Sequence, residues 1–363
     1  MLVSPEKLVA EAEVVDPRGA ADGVTDVFFG DPRSPGRLRD LLERRIEGVP
    51  PGGKICWVTY YFRDLALAEA LIRAHRRGVR VLVSVEGAPR VRSANDAVIA
   101  KLGDPDTGIG DGLRVVKRGL FRHLHEKLYC FSHPYPMALA GSFNPSGNQP
   151  EDPRIIAKIG DQNRGHNFLV ELRGSAVGPL MEHACALHDH VPTFFEHFPA
   201  RWRRPIRARK LHAYLFPRLA NPLDRLLRGL ERGSRLRIAA SHLRDGSIAA
   251  TLGMLAATGV QVELLTEETQ RRVPPRIEDQ LRASGVLFER YRHPDGLPMH
   301  NKFVLAETPD GRWSAFGSFN LTRTSRWLNT ELLMVSEDDA VFDAFARRWD
   351  AMKAEMDQPI LRA

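Results

Sequence analysis

The sequence predicts an α/β fold written twice, as two duplicated α/β/α halves packed with pseudo-twofold symmetry around one active site. Three recurrences carry that expectation: a strand–helix–strand block, a His-x-Lys segment and the tetrapeptide GSFN each appear twice in matching order.

In the first block, ICWVTYYF is rich in β-branched and aromatic residues, as strands are. RDLALAEALIRAHRRG follows with helical periodicity and stops at Gly78, and VRVLVSV returns as a strand. The second half reads RLRIAASHL, RDGSIAATLGMLAATG and VQVELL. Asp64 and Asp245 stand 181 positions apart, and so do Gly78 and Gly259. HEKLYCF at 125–131 parallels HNKFVLA at 300–306, and GSFN at 141–144 returns at 317–320. HNFLVELRGSAV then parallels TELLMVSEDDAV at a shorter offset, so the first half carries extra residues within PSGNQPEDPRIIAKIGDQNRG. Its Pro, Gly, Asn and Asp content predicts a surface loop there. The expected division is residues 1–198 for the first half, an Arg-rich linker at 199–212, and 213–363 for the second half. Strand–helix–strand order predicts a mixed or mainly parallel sheet in each.

A chain of 363 residues is long enough for two ordinary domains or one duplicated domain. No run approaches the roughly 18 apolar residues of a membrane-spanning helix. MLVSPEKLVAEAEVV lacks the basic and apolar regions of a secretory signal, so a cytoplasmic protein is expected, with peripheral membrane contact open to it. Cys56, Cys130 and Cys185 are far apart in sequence, which argues against a disulfide framework or a cysteine zinc site. The net charge of +7 favours anionic partners. Its densest patch is ARWRRPIRARK, where Arg201, Arg203, Arg204, Arg207, Arg209 and Lys210 surround Trp202. That patch reads either as a solvated linker or as a strip facing phosphates.

Each half offers one histidine, a lysine two residues later, and an asparagine in GSFN: His125, Lys127 and Asn144, then His300, Lys302 and Asn320. In a strand, residues two apart share a face, so each histidine and its lysine are expected to project together. The glycine and serine of GSFN would let a bound group approach closely. One set makes an anion-binding corner. Two facing sets make a clamp around a phosphate, with a histidine on each side.

These paired segments resemble the signature of the phospholipase D superfamily, an HxK motif followed by GSxN, present twice. The resemblance spans about residues 40–180 and 220–350. It implies attack on phosphorus by one histidine, giving a covalent phosphohistidine, and acid–base work by the other. By resemblance His125 is the nucleophile and His300 the acid and base. Lys127, Lys302, Asn144 and Asn320 would hold the non-bridging oxygens, with Ser142 and Ser318 assisting in substrate binding. No metal and no other cofactor is implied. Two departures stand out. The aspartate of the full signature is replaced by Ser132 and Glu307. The carboxylate that orients each histidine is present as Glu331, which by resemblance reaches His125, whereas its first-half equivalent is Asn167, with Glu171 four residues on.

The implied substrate is a phosphodiester, with phospholipid hydrolysis or phosphatidyl transfer as the leading reading. A metal-independent nuclease or nucleic-acid phosphodiesterase is the alternative, and a non-catalytic phosphate-binding module the third. Among the remaining candidates, His123 reads as a structural or exposed histidine, and His183, His188 and His190 as solvated helix residues. Trp327 and Leu328 read as core, or alternatively as the rim of the substrate entrance.

Overall fold

The structure is a computed structural model that describes residues 13–14, 22–117, 122–147, 153–190, 204–293 and 295–356. The first half holds β1 Glu13–Val14, β2 Gly23–Phe29, β3 Lys54–Thr59, β4 Arg80–Glu86, β5 Leu113–Val116, β6 Leu128–Phe131, β7 Met137–Gly141 and β8 Phe168–Arg173. Its helices are α1 Arg37–Glu47, α2 Leu65–Arg76, α3 Asp96–Leu102, α4 Pro153–Ile159 and α5 Val177–Asp189. The second half holds β9 Ile206–Ala208, β10 Leu211–Phe216, β11 Arg235–Ala240, β12 Gln261–Glu267, β13 Leu287–Tyr291, β14 Lys302–Thr308, β15 Gly311–Gly317 and β16 Glu331–Ser336. Its helices are α6 Pro222–Arg228, α7 Gly246–Ala257, α8 Pro275–Ala283, α9 Arg323–Trp327 and α10 Asp339–Met356.

The first sheet has the order β1-β2-β8-β7-β6-β3-β4-β5, and the second runs β9-β10-β16-β15-β14-β11-β12-β13, the same order in equivalent strands. The duplication read from the sequence is thus a duplication of topology. Only the β3–β4–β5 and β11–β12–β13 pairings are parallel, and the others are antiparallel. The sheets are therefore mixed, and the mainly parallel alternative is wrong. It came from the βαβ block alone, whereas the two His-x-Lys segments feed antiparallel hairpins.

Local chemistry explains why the repeated blocks fold alike. Asp64 caps α2 by accepting from Leu67 N at 2.9 Å, and Asp245 caps α7 by accepting from Ser247 N at 3.0 Å. Gly78 and Gly259 follow those helices with φ of 89° and 95°, the left-handed exit that suits glycine. Side chains of β3 alternate: Cys56 and Val58 face the centre of the molecule, while Ile55 and Trp57 face α1 and α2. Helices α6, α7 and α8 cover the outer face of the second sheet in the same way.

Between the sheets lie α5 and α10, in a central core shared by both halves. Phe345 of α10 is its hub. Its ring lies 5.4 Å from Phe29 and 5.1 Å from Phe168 of the first half, and 5.1 Å from Phe303 and 4.9 Å from Phe316 of the second. Such rings carry large buried area and make favourable edge and stacked contacts. The two halves are one hydrophobic unit.

Several expectations change. The extra first-half stretch is not simply a surface loop, because it contains α4, and Ile159, Gln162 and Asn163 are buried; residues 148–152 lie outside the described residues. His188 is buried and bonds Gly112 O at 3.1 Å, and His183 pairs with buried Glu126 at 2.9 Å, so neither is solvated; His190 is exposed. The three cysteines converge despite their spacing: Cys56 sits opposite Cys130 across β3 and β6, and its Sγ is 2.7 Å from that of Cys185 on α5. Trp327 and Leu328 are half-buried rather than core. Of the Arg-rich patch, Arg201, Trp202 and Arg203 lie outside the described residues, while Arg204, Arg207 and Arg209 are exposed. Residues 206–208 and 211–212, inside the span read as linker, pair as strands of the second sheet.

Candidate active site

The two halves are stitched together at the backbone on either side of each motif histidine. His125 N donates to Thr330 O at 3.0 Å, and Thr330 N donates to His123 O at 2.9 Å. At the equivalent place, His300 N donates to His166 O and His166 N to Pro298 O, both at 2.9 Å. These two bridges fix each histidine against the residue that precedes Glu331 or Asn167 of the other half. His125 and His300 thus lie in the segments leading into β6 and β14, not inside regular strands. Buried Glu86 helps hold the first segment by accepting from Leu124 N at 2.7 Å.

His125 Nδ1 lies 2.8 Å from Glu331 Oε2. The carboxylate also accepts from Ser318 Oγ at 2.6 Å, Ser325 Oγ at 2.6 Å and Asn329 Nδ2 at 3.3 Å. Burial alone would raise Glu331, but the charge and hydrogen bond of His125, with Lys127 and Ser318, hold its carboxyl below the usual range. With Nδ1–H donated to this carboxylate, Nε2 of His125 keeps its lone pair for the cavity. Burial, aided by Lys127, pushes His125 down to about 4 against the pull of Glu331, so the ring is neutral at pH 7.

The other side has the same geometry with different chemistry. His300 Nδ1 lies 2.9 Å from Asn167 Oδ1 and 3.1 Å from Ser142 O. Asn167 is turned the right way round because its Nδ2 donates to Gln162 O at 2.9 Å, a bond supplied by the extra first-half stretch. Burial, then Lys302 and Lys127, push His300 well below the usual histidine range. Lys127 Nζ donates to His125 O at 2.6 Å, and Lys302 Nζ donates to His300 O at 2.9 Å and sits 2.9 Å from His300 Nε2. Burial depresses both lysines, Lys127 to about 7 and Lys302 well below its ordinary value. A bound anion would oppose that depression and hold both ammonium groups charged.

The GSFN turns serve this arrangement in a way the sequence reading missed. A Cβ at Gly141 would sit 2.3 Å from Phe168 O, and one at Gly317 2.2 Å from Leu332 O. The glycines let β7 and β15 press against their neighbouring strands, not against a ligand. Ser142 Oγ accepts from Phe168 N at 3.1 Å and donates to Asn167 Oδ1 at 3.3 Å, while Ser318 Oγ accepts from Leu332 N at 3.0 Å and donates to Glu331. Ser142 and Ser318, expected to assist in substrate binding, therefore stand behind the histidines, as does Asn167, and none of the three lines the cavity. Asn144 and Asn320 do reach the cavity, where Asn144 Oδ1 accepts from Tyr61 N at 3.2 Å and Asn320 Oδ1 is buried without a hydrogen bond among the described residues.

The cavity measures about 490 Å³ and opens at the carboxyl ends of β3, β4, β11 and β12, the customary ligand edge of an α/β sheet. His125 and His300 both line it. So do residues the sequence reading passed over: Tyr60, whose ring lies 5.0 Å from that of His125, His242, Arg90, Arg271 and Arg272. His123, read as structural or exposed, is half-buried and also lines it. Burial, followed by Arg272, Lys302 and His125, pushes His242 well below its ordinary range. Arg272 is buried and paired with Glu267. Ser132 and Glu307 fall at the far ends of their strands, where Ser132 Oγ accepts from Lys54 N and Glu307 pairs with Arg237. Glu171 is buried in ion pairs with Arg45 and Arg173 and does not line the cavity. No group of three or more His, Cys, Asp or Glu is placed to hold a metal ion among the described residues. No helix among them is long and apolar enough to cross a membrane.

Residues 226–353 match the family model described as cardiolipin synthase, PLD-like domain. Among solved structures, the fold is similar to phosphatidylserine synthase of Haemophilus influenzae Rd KW20, with TM-score 0.63 and 13% identity over 91% of this chain and 86% of that one. It is also similar to polyphosphate kinase of Porphyromonas gingivalis, with TM-score 0.61 and 14% identity over 98% of this chain. The chain spans 56% of that kinase's length. No curated protein sequence matches. The second half matches the PLD-like domain in sequence, and the first repeats its strand order, its His-x-Lys and its GSFN, so both halves share the phospholipase D-like fold.

Proposed function

We propose that this protein cleaves or transfers phosphodiesters through a covalent intermediate on His125. The observation that carries the reading is the crossed support of the two histidines, each presenting Nε2 to one cavity while the opposite half holds its Nδ1. In the first step His125 Nε2 bonds to phosphorus, the ester P–O bond breaks, and His300 Nε2 gives its proton to the departing oxygen. In the second, His300 takes a proton from water or an alcohol as that oxygen bonds to phosphorus. The P–N bond then breaks and its electron pair returns to His125. Lys127, Lys302, Asn144 and Asn320 hold the non-bridging oxygens, and the phosphate's negative charge lets His300 take up the proton it must donate. The carboxylate under His125 favours the covalent role there, since phosphorylation makes that ring cationic.

A phospholipid substrate is supported by the cardiolipin synthase description of the matching family and by the phosphatidylserine synthase fold. Nucleic acid is the second reading, favoured by the arginines and tyrosines that line the cavity. The test is hydrolysis of bis(4-nitrophenyl) phosphate, labelled phospholipids and single-stranded DNA with EDTA present. Turnover is expected to persist, because the lysines supply the cationic charge the transition state needs. Complete loss restored by magnesium or zinc overturns the mechanism.

The buried charges also set a pH dependence. His125 attacks only when neutral, so kcat/KM is expected to rise with pH through about 4. With the 4-nitrophenyl ester, whose leaving group departs without a proton from His300, Lys127 must still be protonated to bind phosphate, so kcat/KM is expected to fall as pH passes about 7. In Lys127→Arg the falling limb moves up, since a guanidinium keeps its proton. A falling limb unmoved by that substitution assigns it to another group.

A further inference from the structure

Arg90 and Arg271 stand 181 positions apart, the offset of the strand–helix–strand repeat, and both line the catalytic cavity. They are equivalent residues on equivalent loops, one after β4 and one after β12. Both loops are tied to the site. Arg90 N donates to Tyr60 Oη at 2.8 Å, and Tyr60 packs on His125. In the second half, Arg272 beside Arg271 ion-pairs with Glu267 and donates to Ser241 Oγ at 3.3 Å, next to His242. Arg244 and Arg323 line the same cavity from the second half.

What distinguishes these arginines is that they line the catalytic cavity with little or no counter-charge. The guanidiniums of Arg90, Arg244 and Arg271 make no hydrogen bond or ion pair among the described residues, and Arg323 comes only within 4.0 Å of Asp245. In the same cavity Arg272 is matched by Glu267. A single phosphodiester held between Lys127 and Lys302 occupies the centre of the pseudo-twofold and leaves these flanks unused. Guanidiniums aimed into a shared cavity without carboxylates are placed for anions.

We propose that Arg90 and Arg271 head two anion subsites, related by the pseudo-twofold axis, that flank the scissile phosphate. Arg244 and Arg323 extend the one in the second half. The substrate is then a linear polyanion with a phosphate on each side of the bond that is cut. This rests on the phosphodiesterase reading above and narrows it to polyphosphorylated chains, in place of the phospholipid reading.

The test compares inorganic phosphate, which fills only the centre, with tripolyphosphate and tetrathymidylate, which reach the flanks. Each is titrated as an inhibitor of bis(4-nitrophenyl) phosphate hydrolysis. For the wild type, at least one longer anion is expected to inhibit at about 30-fold lower concentration than phosphate. In Arg90→Ala/Arg271→Ala that advantage is expected to shrink to about threefold or less. Arg80→Ala/Arg232→Ala, which removes the same charge from exposed positions at the opposite ends of β4 and β11, should keep it. Preference for tetrathymidylate assigns the subsites to sugar-spaced phosphates, and preference for tripolyphosphate to contiguous ones. An unchanged advantage in the double variant, or equal loss in the control, overturns the proposal. If the wild type does not hydrolyse the chromogenic ester, the phosphodiesterase reading fails instead. Calorimetric titration of the same anions then decides the subsites independently.

Discussion

His125→Ala is expected to lower turnover by about 10⁴-fold or more and to abolish any acid-labile phosphoryl adduct, while leaving the fold intact. The expectation follows from the role proposed for Nε2 of that ring, which is to bond phosphorus. His125 is largely buried but contributes no essential backbone contact through its side chain, so alanine preserves the bridge to Thr330. The companion change, His300→Ala, should behave differently. Without the group that takes a proton from water, breakdown of the intermediate slows, and a base-stable adduct should accumulate on His125. Rapid acid-free quenching and peptide mapping read this directly. An adduct on His300 in the wild type reverses the two roles, and no adduct on either histidine makes direct attack by water the better account.

The second large effect is expected at Glu331. Glu331→Gln keeps the shape and much of the hydrogen bonding with Ser318 and Ser325 but removes the negative charge 2.8 Å from His125 Nδ1. The amide can also present its NH₂ to the ring and reverse the tautomer, which turns the Nε2 lone pair into a donor. Loss of the equivalent carboxylate in a serine protease triad costs about 10⁴-fold, and a fall of 10³- to 10⁴-fold is the expectation here. Thermal stability should change little. Asn167→Ala should cost far less, because Ser142 O remains within 3.1 Å of His300 Nδ1 to hold the ring. Equal and small effects of the two substitutions would show that neither residue orients a reacting histidine.

Much of this site was legible because its residues travel in repeated strings. His125, Lys127, Asn144 and their counterparts needed only two copies of one pattern to be found. Glu331 was found by the family resemblance, and the alignment of TELLMVSEDDAV with HNFLVELRGSAV gave Asn167 as its counterpart. What the sequence hid depends on strand register. The serines of GSFN looked like ligand contacts, but β7–β8 and β15–β16 pairing turns them back toward Asn167 and Glu331. Likewise, nothing local says that Cys185 of α5 will lie on Cys56. Other features were available and missed. Pro309, Asp310 and Gly311 form a turn signal between β14 and β15 that argued for an antiparallel hairpin. Glu86 and Glu267, like Arg90 and Arg271, share the offset of Asp64 and Asp245, so extending the repeat past the strand ends would have reached them.

The crossed bridges at Thr330 and His166 have a consequence for how the two catalytic sides can differ. If two identical copies of one half met about a true dyad, every substitution would appear on both sides at once. A carboxylate under one histidine would then entail a carboxylate under the other, and both rings would share the same affinity for a proton. Joining the halves in one polypeptide lifts that constraint. Position 331 keeps glutamate while its counterpart, position 167, is asparagine, and the amide is held in place by Gln162 from a stretch that has no equivalent in the second half. Covalent linkage thus turns a geometric symmetry into a chemical division of labour. In the proposed mechanism one ring rests on a charge that tolerates a phosphoryl group, and the other rests on a dipole that leaves it readier to release a proton.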